Sequence, residues 1–169
     1  MKPRLMFILG LVAVLAACQS LSEQAARYND RIVERQFQLI QAVESLDTLL
    51  FTRDSSIMQD ALVLVKGEVI RSQRLLDSLG TFQKDTTLLE GARQLFNTYA
   101  VLGSQDYPDM IRLLEVDTPA DTLAHLELIY ATQAKIHAQR TATYETFFEA
   151  QQAFGEKFNL EFQEHTTKH

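Results

Sequence analysis

Residues 21–51 read LSEQAARYNDRIVERQFQLIQAVESLDTLLF, and in them Ala25, Asn29, Ile32, Gln36, Leu39, Val43, Leu46 and Leu50 follow one another at alternating spacings of three and four. That spacing puts all eight on one stripe of an α-helix, with charged and polar side chains on the other faces. A strand would need strict alternation, and this stretch has none. The stripe is long and carries two amides, Asn29 and Gln36, where a simple core helix would carry only apolar groups.

The same period continues outward along the chain. A second stripe, over about Ser56–Leu79, runs through Met58, Leu62, Val65, Val69, Ser72, Leu76 and Leu79, behind a cap among Asp54, Ser55 and Ser56. Gly80 stands where a helix stop belongs. The third stripe, from a cap at Asp85 or Thr86 to Glu115, runs through Leu89, Ala92, Phe96, Tyr99, Gly103, Asp106, Met110 and Leu113. Its phase survives Pro108, which predicts one helix kinked around 103–108 and not two helices. The fourth opens at Asp117-Thr118-Pro119, with Thr118 as cap and Pro119 at the first helical position, and continues past Phe158. Its stripe is assigned to Leu123, Leu126, Tyr130, Gln133, His137, Arg140, Tyr144, Phe147, Gln151, Phe154 and Phe158, with a break near Gly155 as the way to keep its end from overhanging.

Six glycines and three prolines in 169 residues leave few places to turn. Four long helices joined by short connections predict an all-α, up-down-up-down four-helix bundle with a kinked third helix and a long fourth helix. The domain boundaries read as 1–17 leader, 18–22 tether, 23–163 bundle and 164–169 polar tail.

The leader has its own pattern. Lys2 and Arg4 precede an apolar run from Leu5 to Ala17, and Leu15-Ala16-Ala17-Cys18 closes it with the chain's single cysteine. Such a run suits a secretory h-region of roughly 7–15 residues and is too short to span a bilayer. The closing tetrad resembles the lipobox of bacterial lipoproteins. That resemblance implies cleavage before Cys18, acylation of Cys18, and a lipid-anchored place in the bacterial envelope; Gln19 after the cysteine implies the outer membrane over the inner. Two or three acyl chains suffice for stable anchoring at about 0.8 kcal/mol per buried methylene. A further run, Tyr28-Asn29-Asp30-Arg31-Ile32-Val33-Glu34-Arg35-Gln36, is similar to the first helix of uncharacterised helical surface lipoproteins, which show Y-N-D-x-I-V-x-x-Q after the lipid cysteine. That likeness implies an envelope four-helix domain and supplies no substrate.

Loss of the leader leaves 14 basic side chains against 22 acidic ones, a formal charge of −8. Nucleic acid is a poor partner for such a surface, because affinity for it comes from Lys and Arg on phosphates. Motifs for metal, haem, phosphate and hydrolytic chemistry are missing: no Glu-x-x-His pair, C-x-x-C-H, H-E-x-x-H, G-x-S-x-G or P-loop occurs. His165 and His169 are four apart but sit in the polar tail. No catalytic residue, metal ligand or cofactor is therefore assigned.

The polar residues on the first and fourth stripes are the unusual feature. Antiparallel pairing would bring Asn29 and Gln36 toward Gln151 and Tyr144, either as a layer that fixes register or as a ligand pocket extended by Gln133, His137 and Arg140. Arg140 needs a partner, with Glu145, Glu149 or solvent at hand. Phe147, Phe148, Phe154, Phe158 and Phe162 gather near the chain's end and read as core against Tyr28 and Ile32, or as a surface for lipid headgroups or a partner helix. Tyr107-Pro108-Asp109-Met110 reads as a packing irregularity or a distal recognition edge. The expectation is a non-enzymatic binding or structural module anchored at Cys18, with a protein partner in the envelope. The other reading is a lipoprotein that binds a small molecule or metal through Asn29, Gln36, His137, Arg140, Tyr144 and Gln151.

Overall fold

A computed structural model describes residues 20–115 and 123–160. The leader, Cys18, the Thr118-Pro119 opening, Phe162 and the histidine tail lie outside these residues. Helix α1 spans Leu21–Leu50, α2 Ser55–Leu79, α3 Thr87–Val101, α4 Tyr107–Glu115 and α5 Leu123–Phe158, with a π-helical segment Leu102–Asp106 joining α3 to α4. The α3–π–α4 run is continuous and forms the third arm of a four-helix bundle. Leu21 and Ser22, assigned to the tether by sequence, already belong to α1.

Each start has a chemical cause. Ser20 accepts from the Glu23 N–H at 3.2 Å and Asp54 from the Ile57 N–H at 3.2 Å, so both helices begin with a side-chain cap. Thr86 makes no such bond; Asp85 accepts from the Thr87 N–H at 2.9 Å in its place. Gly80 ends α2 with φ of +61°, a conformation that glycine adopts without strain. Gln83 and Lys84, both at positive φ, reverse the chain between Phe82 and Asp85.

The kink at Pro108 takes the form of the π turn. Proline has no N–H and its ring collides with the carbonyl four residues earlier; widening the preceding turn to i→i+5 bonding relieves both problems. Phase is kept across it, so Tyr99, Leu102, Asp106, Tyr107, Met110 and Ile111 are all buried.

Packing divides the bundle into two close hairpins. α1 runs along α2, and α3 runs along α5, while α1 and α5 meet at few positions. The second hairpin is held by shape and by charge. Gly91 lies so close to α5 that a Cβ there would come within 2.5 Å of the Ala150 Cβ. Lys157 reaches Asp85 at 2.5 Å and Lys135 reaches Asp106 at 2.5 Å, both aspartates being almost wholly buried and both lysines running out to solvent. His125 Nε2 lies 3.0 Å from the Leu113 carbonyl and ties the start of α5 to α4.

The stripes of α1 and α2 are buried as the spacing predicts, apart from Leu50 and Leu79 at their ends, which are half-buried. The stripe assigned to the first half of α5 is displaced. Leu123, Tyr130, Gln133, His137 and Tyr144 are exposed, and Ile136 and Thr143 are buried, with Ile129 half-buried beside them. From Phe147 onward the assigned positions return to the core at Phe147, Phe154 and Phe158. The true stripe steps by four residues twice in succession, from Thr143 to Phe147 to the half-buried Gln151, a stutter that rotates the contact face along the helix.

Candidate functional site

The polar residues singled out in the sequence fall into two places about 27 Å apart along α1, at 1.5 Å per residue from Asn29 to Asp47. At the end near Ser20, Gln151 Nε2 donates to Asn29 Oδ1 at 2.9 Å, and Asn29 Nδ2 donates to Asp30 Oδ1 at 3.4 Å. Asn29 is buried and its amide is satisfied, which is the geometry of a register-fixing pair. Gln36 is buried two turns further on, but no hydrogen bond joins it to Tyr144, which is 47% exposed.

Around this end the core is aromatic. Phe82, Tyr28, Phe154 and Phe158 stack with ring centroids 4.7 to 5.8 Å apart, and the Tyr28 hydroxyl donates to the Gly80 carbonyl at 2.7 Å. Phe154 and Phe158 are thus core residues, as is Phe147, while Phe148 is half exposed. Burial raises the Tyr28 pKa, and the Asp85 charge raises it further.

At the opposite end, Arg140 pairs with neither Glu145 nor Glu149. Its Nη1 donates to Asp47 Oδ2 on α1 and lies 3.5 Å from the Tyr107 hydroxyl, which itself donates to Asp47 Oδ1 at 2.8 Å. Asp47 is a charge beside an apolar stripe and did not stand out, and Tyr107, noted only as part of the 107–110 irregularity, was not linked to Arg140 by spacing. The signal available was the coincidence of a tyrosine before the kinking Pro108 and an arginine on the α5 stripe that lacked a local partner. Tyr107 is fully buried and Met110 nearly so, which makes these two residues part of the core, while Pro108 is half-buried and Asp109 exposed.

This trio borders a cavity of about 220 Å³ where α1, α4 and α5 fail to close. Its walls are mainly apolar, from Leu50, Met110, Leu114, Ile129 and Ile136, with Phe51 at the rim; Gln133, His137 and Arg140 complete the α5 side. A second, adjoining cleft of about 270 Å³ lies between Ile40, Tyr99 and Tyr144, and Arg140 and His137 face both. His137 Nδ1 is 3.5 Å from the Thr141 hydroxyl. Of the sequence-assigned site residues, His137, Arg140 and Tyr144 gather at these clefts; Asn29, Gln36 and Gln151 do not line them.

The electrostatics of the trio follow from burial and pairing. Desolvation raises the Tyr107 pKa far above the ordinary phenol, and the Asp47 charge adds to the rise. Burial works against the charge on Arg140, but its interactions with Tyr107 and Asp47 outweigh that and hold the guanidinium firmly protonated. Burial likewise raises Tyr99, with Arg140 acting in the opposite sense. Among the described residues no cluster of His, Cys, Asp or Glu could hold a metal, and no helix is long and apolar enough to cross a membrane.

No protein-family model matches the chain, nor does any curated protein or solved structure.

Proposed function

We propose that this chain is a non-enzymatic binding module of the bacterial envelope, anchored through an acylated Cys18 to the outer membrane, and that it takes a small ligand in the cleft between α1 and α5. The observation that carries this reading is the 220 Å³ apolar cavity bordered by the Asp47–Tyr107–Arg140 cluster. Apolar walls with a few convergent polar groups are the usual make-up of a small-molecule site. The cavity is at the end of α1 remote from Ser20, about 40 Å along the helix from the anchor side, so it would face away from the membrane.

A binding role suits the cluster better than proton transfer does. General acid–base catalysis works best with a group titrating near the working pH, and the three shifted groups here, Tyr99, Tyr107 and Arg140, all move away from neutrality. Of the two readings left open by the sequence, the cavity favours a small ligand over a protein partner.

Native mass spectrometry of the protein extracted gently from its own membrane tests the ligand. The expected result is a small mass beyond the acylated chain, shed on unfolding and absent when Ile136→Trp fills the cavity. A stoichiometric second protein in its place, or a bare chain, contradicts the cleft reading. The anchor is tested separately, by fatty-acid labelling that Cys18→Ala abolishes; continued labelling of that variant would remove the lipoprotein reading.

A further inference from the structure

The ligand's chemical class can be read from the hydrogen-bonding capacity that the cleft has not used. Asp47 is the one carboxylate among the lining residues, and both of its oxygens are taken, Oδ1 by Tyr107 and Oδ2 by Arg140. The Tyr107 proton is committed to the same carboxylate. A cationic head entering the cleft would have to share a carboxylate whose charge Arg140 already offsets.

Donors, by contrast, are in surplus. Arg140 meets Asp47 and Tyr107 through Nη1. Tyr99 also hydrogen-bonds the guanidinium, and with five N–H groups in a planar fork Arg140 still has donors to offer a carboxylate. Gln133 and His137, one turn apart on α5, line the same side of the cleft, and each can donate to an acceptor there. These three donors border a space whose other walls are Leu50, Met110, Leu114, Ile129 and Ile136.

Size sets the apolar part. An apolar cavity of about 150 Å³ holds benzene. The cavity here, about 220 Å³, is half as large again.

Resting on the cleft reading above, the geometry points to an amphipathic monocarboxylate as the ligand. A body of about six to eight carbons lies among the apolar walls, and the carboxylate accepts from Arg140, Gln133 and His137. Asp47 holds Arg140 in place while the cleft is empty and competes with the ligand for its charge. That competition gives the proposal an unusual signature: removing the Asp47 charge strengthens binding.

Equilibrium dialysis of radiolabelled octanoate against the full chain in lipid nanodiscs, with empty nanodiscs subtracted, tests this. Octanoate is expected to bind saturably at one per chain, and octylammonium and octanol roughly tenfold or more weakly, as loss of a bidentate charged contact implies. Arg140→Gln should weaken octanoate roughly tenfold, and Asp47→Asn should tighten it about threefold, since a competing negative charge is gone. If circular dichroism shows Arg140→Gln to be unfolded, the Asp47→Asn, Arg140→Gln pair, which leaves no unpaired charge, takes its place with the same expected loss. Equal binding of all three amphiphiles, or octanoate affinity indifferent to both substitutions, overturns the carboxylate assignment and leaves the cleft as an apolar site. Saturable binding of none of them overturns the cleft reading as well.

Discussion

The two ends of the α1–α5 seam are built from the same two helices and end up different. Near Ser20 the seam is closed: Phe154 and Phe158 fill it with Tyr28 and Phe82, Asn29 and Gln151 satisfy each other, and Lys157 neutralises Asp85. Near Leu50 it stays open, and what crosses it is a hydrogen-bonded trio in place of packed rings. The difference comes from α5. Its C-terminal half presents phenylalanines at positions in phase with α1, whereas the stutter at Thr143–Phe147 turns Ile136 and Ile129 toward α4 and leaves a hollow beside α1. One helix pair can thus be tightly packed at one end and hollow at the other.

The largest expected effect is at the closed end. Phe154→Ala should remove about 3–5 kcal/mol of unfolding free energy in denaturant titration, because a large ring is lost from a well-packed cluster. A loss under about 1 kcal/mol would mean that the aromatic end is looser than described. A matched pair of enlargements then contrasts the ends. Ile32→Phe, in the packed half, should cost about 1–3 kcal/mol, and Ile129→Phe, at the cavity wall, should change stability by less than about 1 kcal/mol. Equal costs would erase the distinction between the two ends.

Next comes the close approach of α3 to α5. Gly91→Ala should cost about 1–3 kcal/mol through its clash with Ala150, and adding Ala150→Gly should recover part of it in a double-mutant cycle. No recovery would place the cost elsewhere.

Acid should act first on the closed end. Burial raises the Asp85 pKa, but hydrogen bonds from Lys157 and Thr87 outweigh it and hold the carboxyl below its ordinary value. A folded pKa below the unfolded one contributes stability that is present above about pH 4 and lost as pH falls through the folded value. Stability measured from pH 5 to pH 2 should therefore decline, and Asp85→Asn should flatten the decline. An unchanged slope in that variant would shift the effect to other carboxylates such as Glu68, which Arg71 also holds low. The smallest effect is expected for the joint Asn29→Leu, Gln151→Leu replacement, within about 1 kcal/mol of the parent, because both partners of a buried bond leave together.

How far the sequence could be read follows the same division. In α1 and α2 an unbroken three–four spacing runs the whole length of each helix and is buried despite apolar residues elsewhere such as Phe37, Val63 and Leu64, and the caps at Asp54 and Gly80 are chemically explicit. The kink at Pro108 was legible because proline has one local consequence, though its π form depends on the packing around it. The first half of α5 has apolar residues on every side, Leu123, Leu126, Leu128, Ile129 and Tyr130 among them, so the spacing admits several stripes and only contact with α4 selects one. The meeting of Asn29 with Gln151 follows from antiparallel register alone. The meeting of Asp47 with Arg140 requires the rotation of α5 that periodicity missed, which is why the cleft's charged cluster was only half visible as an unpartnered arginine.

Crystals of the protein pressurised with xenon would test the central claim, that the α1–α5 seam is sealed at one end and hollow at the other. Xenon enters apolar cavities that lack their own filling. A bound atom among Met110, Ile129 and Ile136, with none in the Tyr28–Phe82–Phe154–Phe158 cluster, is the expected result. Xenon in the aromatic cluster, or no site beside Ile136, would contradict it.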